Sequence, residues 1–483
     1  MDVPQESVDP RDELIRRQAE RIQQLEEELR RLKELLERKA SAKAAKTPNF
    51  SLDRNPLGKK TKDKTKKSKS KKKRGRKPKQ AKLQRSTEQH EIYPSGADPK
   101  ACILRRTQFA WRIVDGKAIY VAYHIYDLPD AKELPLPAGL RNSRSEFGIE
   151  IILILAFLYY WIGVSLHNAC QIMNFFTGLS LAKSQAESLL KQLARDWDQQ
   201  YDTIAELIAL QMIVYIDETG WKVGKKSCYT WVFSTTMHVL YRCGVSRKKD
   251  EANAVLGDNF GGIGVTDDYA AYKSMFSQHQ LCWAHLIRKA IKLALQHPDQ
   301  PEYASFLDQL CAIYNDAKEL SAQRDEGAIE ATIEKLQDRI KELCTRHEET
   351  IVKAKDAEPG TTATAKDVET FILLQRELIN NLDCLFVFVE HPEVEPTNNR
   401  SERNVRREAE IRKGARTSKT ASGAKRRGTI ITVLASLHTR IANFTLSNLL
   451  LEITSWFEKG CSIFEQELKN IRPNPPTQES AIC

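Results

Sequence analysis

The chain has 483 residues, 41% hydrophobic and 29% charged, which excludes a wholly disordered or fibrous chain and allows two or three domains around a sizeable core. The net charge of +11 is unevenly spread: residues 59–85 hold sixteen Lys or Arg against one Asp, a local +15, so the remainder is about −4. The cationic excess therefore sits in one stretch that suits a polyanion, nucleic acid first, and not in a uniformly basic body.

Residues 1–10 are polar and acidic and carry no secretory signal. The ten cysteines are scattered without a Cys-x-x-Cys pair, as expected of reduced thiols in a cytoplasmic protein. In residues 11–39, Ile15, Ile22, Leu25, Leu29, Leu32 and Leu36 follow heptad positions with Glu and Arg on the flanks. Residues 1–40 are thus expected to form a coiled coil that makes a homodimer or higher oligomer; the alternative is one amphipathic helix lying on its own body. Residues 41–100 are rich in Lys, Ser and Thr and read as a disordered basic linker. Within it, Arg74-Gly75-Arg76-Lys77-Pro78 looks like an AT-hook core, so Arg74, Arg76 and Lys77 are candidate DNA contacts in a narrow minor groove; a sequence-blind phosphate-binding tail is the competing reading.

Residues 101–135 carry a hairpin signal, with aromatic and β-branched runs at 107–114 and 117–126 around Asp115-Gly116. Residues 136–210 read as helices over 151–164, 184–195 and 202–210, either a DNA-binding unit or a layer covering a sheet. The apolar run 151–164 falls short of the ~20 residues needed to span a bilayer, so no membrane partner is expected.

From residue 211 to about 460 the pattern predicts a mixed α/β domain. Strands are expected at 212–216, 229–235, 239–245, 262–266 and 280–283, with helices at 251–256 and 284–296. Three strands in series followed by strands alternating with helices is the order of an RNase H-like catalytic core. Asp217 ends the first strand and Asp267 the fourth. The 134 residues between Asp267 and Glu402 exceed any simple link, and helices at 317–345 and 365–381 suggest an all-helical insertion at about 298–395. The stretches 429–443 and 446–457 are apolar enough to close the core, and residues 461–483 read as a tail.

Carboxylates at neighbouring strand ends can converge on one metal site. In-line attack on a phosphodiester needs one ion to activate the nucleophile and a second to neutralise the leaving oxygen. Mg²⁺ (or Mn²⁺) takes hard oxygen ligands, the candidate donors being Asp217, Asp267 and, on a helix capped by Thr397 or Asn398, Glu402. Ten Lys or Arg between Arg403 and Arg427 would place cations where phosphates must lie, with Arg403, Arg406, Arg407, Arg412, Lys413 and Arg416 as candidate contacts. Asp268 competes with Asp267, and Glu218 is expected to cap a helix or to support Asp217. Cys282 and His285 have ligand spacing, but two ligands do not close a zinc site. Trp221, Trp231 and Trp283 read as core, and His238, His297 and His438 show no constellation.

Four segments then resemble a known family: Asp217-Glu218-Thr219-Gly220; Val265-Thr266-Asp267-Asp268-Tyr269 with Tyr272; His279-Gln280-Leu281-Cys282-Trp283-Ala284-His285; and Asn398-Asn399-Arg400-Ser401-Glu402-Arg403. Together they look like the motifs of insertion-sequence-66-type transposases, bacterial and archaeal enzymes with a DDE triad. The resemblance covers roughly residues 140–455. It implies a transposase that cleaves transposon ends and joins them to target DNA, with Asp217, Asp267 and Glu402 as catalytic and metal-binding triad, and His285, Asp268 and Asn399 in supporting positions. It further implies two Mg²⁺ ions per site, DNA and accessory proteins of the same element as partners, and a nucleoid-associated enzyme. Many members carry a cysteine-rich zinc segment; here only Cys102 lies in that stretch, so no zinc is expected. An RNase H-like nuclease or resolvase without strand joining, and a catalytically inactive DNA-binding relative, are the alternatives.

Overall fold

The structure is a computed structural model in which residues 79–272, 274–323, 327–355 and 365–472 are described. The expected coiled coil, the Arg74–Lys77 contacts and residues 473–483 lie outside the described residues. The described chain is mixed α/β, with one three-stranded and one five-stranded sheet. No helix among the described residues is long and apolar enough to cross a membrane.

The disorder expected up to residue 100 does not reach that far. α1 (Lys79–Arg85) and β1 (Glu88–Ile92) are formed, and β1 lies parallel to β3 (Lys117–Asp127), with Glu88 opposite Val121. β1 is an exposed edge strand of mostly polar residues, so it shows no apolar alternation for a sequence to reveal. β2 (Ile103–Val114) and β3 form the expected hairpin. It turns at Asp115 (φ 48°) and Gly116 (φ 74°), the two positive φ values of a type I′ turn.

α2 (Ile149–Ala156) is buried on every side, widens into one π turn at Phe157–Trp161, and stops at Gly163. Gly163 has φ 79°, and a Cβ there would lie 2.6 Å from Ile411, so only glycine admits this approach. α3 (Leu166–Thr177) is a helix the sequence pattern does not predict. The Ser165 hydroxyl accepts from the Asn168 N–H at its start, and Gly178 (φ 75°) ends it. α4 (Lys183–Asp196) and α5 (Asp198–Ala209) follow. Leu190, Leu193, Ile204 and Leu207 join the same core as the central sheet, so these helices are a layer packed over it.

The five-stranded sheet comprises β4 (Ile213–Val223), β5 (Lys226–Ser234), β6 (Val239–Val245), β7 (Ile263–Thr266) and β8 (Gln278–Leu281), in the order β6–β5–β4–β7–β8. The first three are antiparallel, whereas β4, β7 and β8 run parallel. α6 (Asp250–Leu256) precedes β7 and α7 (Trp283–Gln296) follows β8. β4 does not end before Asp217 as expected. It continues to Val223 because β5 pairs with it throughout, setting Thr219 against Thr230 and Gly220 against Tyr229. Alternate β4 residues feed two cores: Val214 and Ile216 the first, Ile213 and Tyr215 the second.

The second core is filled by α7 with α8 (Pro301–Gln323), α9 (Ile329–Lys355), α10 (Ala365–Asn380) and α11 (Val387–Glu390). The single helix expected over 317–345 is two, separated by a turn at 327–328. α12 (Asn399–Lys413) then lies against β4 and β5, and α13 (Ala421–Arg440) against β6. β6 is an edge strand, and α13 covers it. The hydroxyl of Ser436 accepts from the Val239 N–H at 3.0 Å and that of Thr432 from the Tyr241 N–H at 2.9 Å. Gly428, one turn earlier, lets the helix close in, since a Cβ would sit 2.8 Å from the Tyr241 carbonyl oxygen. Small residues every fourth position thus satisfy alternate edge groups. α14 (Leu446–Lys459) and α15 (Ile463–Ile471) complete the first core; Phe464 of α15 is fully buried, so the expected tail begins with a packed helix.

Candidate active site

The sheet register brings the candidate residues level with one another. β4 and β7 pair as Ile213 with Ile263 and Tyr215 with Val265, and the same offset carried two residues on sets Asp217 against Asp267. β7 and β8 pair as Thr266 with Leu281, so the next position sets Asp267 against Cys282. Side chains level across parallel strands lie on one face. Asp217, Asp267 and Cys282 therefore form a row from the middle of β4 across the ends of β7 and β8, with Asp217 just beyond the point where β7 leaves β4.

Local bonding fixes this row. The Asp217 carboxylate accepts from the Glu218 N–H at 2.8 Å, and that of Asp267 from the Tyr269 N–H at 3.1 Å, which turns the chain away from β7. Asp268 falls one residue later, in the bend. Glu218 is nearly buried, pairs with Arg247 at 2.6 Å and accepts from the Tyr272 hydroxyl. It supports β4 rather than capping a helix, and Arg247, which also stacks 3.8 Å over Tyr269, is a member of the site that sequence reasoning missed.

α12 delivers Glu402 to the row. Asn398 holds the N-cap position, yet its side chain caps nothing. Its amide donates instead to the Ile216 carbonyl at 2.6 Å, and its backbone N–H donates to the Cys282 sulfur at 3.1 Å. Farther along, Ser401 donates to the Val232 carbonyl at 3.1 Å and Arg412 to the Gly220 carbonyl at 2.8 Å. One helix face is thus pinned along β4 and β5, which leaves Glu402 at the rim. Its carboxylate pairs with Arg288 of α7 at 2.8 Å, lies 3.4 Å from His285 Nδ1 and takes the Cys282 thiol at 3.7 Å. Arg288 was not anticipated, although its position three residues after His285 puts both on one helix face.

Burial, then the charges of Glu218, Asp267 and, more weakly, Glu402, push the Asp217 carboxyl up to about 8. The charges of Asp267 and Glu402 thus bear on Asp217, while Arg288 pairs with Glu402. Oxygen donors in mutual repulsion fit a hard divalent cation. Cys282, His285 and Glu402 also place sulfur, nitrogen and oxygen within 4.8 Å of one another, one donor more than the sequence offered. Burial pushes the Cys282 thiol up, and the hydrogen bond from Asn398 opposes this in part. As a protonated donor to Glu402, the thiol serves as a positioning group.

The remaining candidates divide. Asn399 opens α12 and is exposed; its neighbour Asn398 makes the bonds to the sheet. Arg403, Arg406 and Lys413 are exposed. Arg407 stacks over Trp161, Arg412 is tied to β4, and Arg416 donates to the Gly163 carbonyl. Arg427, counted in the basic stretch, is instead buried in a two-pronged pair with Glu408, both bonds 2.7 Å. Trp221, Trp231 and Trp283 are buried core. His238, which showed no constellation in sequence, lies fully buried beside Arg440 and Glu467, partners 202 and 229 residues away.

The family model described as transposase IS66 family matches residues 144–426. That span contains all four sequence segments and every strand of the central sheet. No curated protein matches the chain.

Proposed function

The chain belongs to the IS66 transposase family, and from that premise we propose that it cleaves transposon ends and joins them to target DNA through Asp217, Asp267 and Glu402 as a DDE triad. The observation that carries the proposal is the level row of Asp217 and Asp267 across β4 and β7, with Glu402 close enough to act on Asp217. The strand order, three antiparallel and two parallel, supports reading residues 211–460 as an RNase H-like domain, with α8 to α11 as its helical insertion.

Asp217, Asp267 and Glu402 would hold two Mg²⁺ or Mn²⁺ ions. Bound there, such ions supply Lewis-acid activation of the nucleophile and charge neutralisation at the leaving oxygen. The chain's own residues supply placement. Asn398 and Cys282 fix the start of α12, and Arg288 and His285 orient Glu402. Glu218, Arg247 and Tyr272 hold β4 from behind. Arg403, Arg406 and Lys413 would meet phosphates beside the triad, joined by Arg412 where DNA displaces its present contact. In cleavage, water adds to phosphorus in line, the bond to the 3′ oxygen breaks, and that oxygen leaves with a proton as a 3′-hydroxyl. In joining, the freed 3′-hydroxyl attacks a target phosphate and the target's own 3′ oxygen departs, so no covalent protein–DNA link forms.

DNA is the partner in this reading, gripped also by Arg74, Arg76 and Lys77 of the basic linker, while the heptads of residues 11–39 join two copies. Asp217→Asn tests the mechanism: strand cleavage should fall at least about a thousandfold while duplex binding stays within about twofold. Cleavage at the native rate would sink the triad. Cleavage without joining, in a strand-transfer assay on short duplex ends, would replace the transposase mechanism with that of a nuclease.

A further inference from the structure

A cavity borders α12 on the flank beside Glu402. Its volume is about 500 Å³, and Trp161, Ile162, Arg403, Arg406, Arg407 and Arg416 line it. Arg406 follows Glu402 by four residues, so it shares that side of the helix and connects the cavity with the carboxylates. Arg403 and Arg406 are exposed and make no ion pair among the described residues.

Arg407 is built differently. Its guanidinium carbon sits 3.5 Å over the centre of the Trp161 ring. Its Nη1 is buried without a hydrogen-bond partner, a group that in a finished interior would be satisfied. Trp161 is itself held by Phe157, Phe444 and His438, which makes the stack rigid. Arg416 is anchored on the Gly163 carbonyl, and Ile162, 53% exposed, forms an apolar lip. One carboxylate, Glu410, lies at the rim.

A plain phosphate-binding surface needs neither this volume nor an apolar wall. A nucleotide needs both: cations for its phosphate, and a flat platform for its base. Guanidinium planes and aromatic rings serve as such platforms for unpaired bases. We propose that this cavity takes one unpaired nucleotide of the DNA strand that reaches the carboxylates. Its phosphate meets Arg403, Arg406 and Arg416, and its base stacks on the side of Arg407 turned away from Trp161. The inference rests on the reading of the carboxylate row as a DNA-processing centre and adds what the strand does beside it.

The test uses the full chain in EDTA with two probes, a short blunt duplex and the same duplex extended by a single-stranded overhang carrying 2-aminopurine. The overhang should raise affinity about tenfold, with a change in 2-aminopurine fluorescence on binding. Arg407→Lys keeps the charge and removes the plane; it should abolish the preference while binding the blunt duplex as the parent does, which also reports an intact fold. Equal affinity for the two probes, or an undiminished preference in Arg407→Lys, overturns the proposal, as does failure to bind either probe. The two readings fail separately, because an Asp217→Asn chain that still cuts DNA removes the triad and leaves the overhang preference in place.

Discussion

Glu408 and Asp217 are carboxylates on elements that touch, α12 and β4, and they are treated in opposite ways. Glu408 is wholly buried and meets Arg427 through two matched 2.7 Å bonds, with Trp221 and Tyr160 packed around the guanidinium. Asp217 accepts a single N–H bond and faces Glu218, Asp267 and Glu402, so its carboxyl is pushed up to about 8. Burial is common to both and does not mark the site. What marks it is whether the fold answers the charge from within. At α13 the hydroxyls of Thr432 and Ser436 and the buried Arg427 have partners; around Asp217 the cations stand outside, on Arg247, Arg288 and the exposed face of α12.

The largest effect should come from breaking the answered pair. Arg427→Met leaves Glu408 charged among apolar groups and should cost about 3–5 kcal/mol of stability, measured by urea unfolding. A loss under about 1 kcal/mol would mean that water reaches Glu408 and that the contrast with Asp217 is false. Next comes the close approach of α13 to β6. Gly428→Val pushes against the Tyr241 carbonyl, a backbone atom that cannot step aside, and should cost about 2 kcal/mol. An unchanged unfolding midpoint would show that α13 does not seal the edge as described.

The contrast also explains what could be read in the sequence. Alternation located β6 and β7 almost to the residue and Asp115-Gly116 marked the hairpin turn, although β2 begins at Ile103, four residues before the aromatic and β-branched run. β4 was cut short because Thr219-Gly220 looks like a turn; only the partner strand keeps it extended. β1 went unseen because a polar edge strand has no pattern. α3 was missed because its buried face, Leu166, Ala169, Cys170 and Met173, is interleaved with Asn and Gln. In the candidate site, the three acids stand in legible motifs, whereas the level of Asp217 with Asp267 depends on the register between strands fifty residues apart. Arg247 and the trio of His238, Arg440 and Glu467 are contacts between distant segments that no local spacing announces, and the spacing of Arg288 from His285 shows a shared helix face but not Glu402 as the partner. Arg427 misled for the same reason: its neighbours in sequence are exposed cations, but its partner is one helix away.

The smallest effect, and the sharpest test of the unanswered side, is the pH dependence of stability in EDTA. The folded Asp217 carboxyl keeps its proton to about pH 8, the unfolded one only to about 3.8. Between those values the folded chain binds more protons, so this group makes stability fall as pH rises through the window and level off above it. Asp217→Asn cannot ionise. The variant should therefore be more stable than the parent by at least about 1 kcal/mol above pH 8, and the two should converge toward pH 4. Mg²⁺ should close the gap from the other direction, stabilising the parent by mass action and the variant far less. If the parent and Asp217→Asn lose stability in parallel across the window, the carboxylate row holds no unanswered charge, and Asp217 belongs with Glu408 as a structural residue.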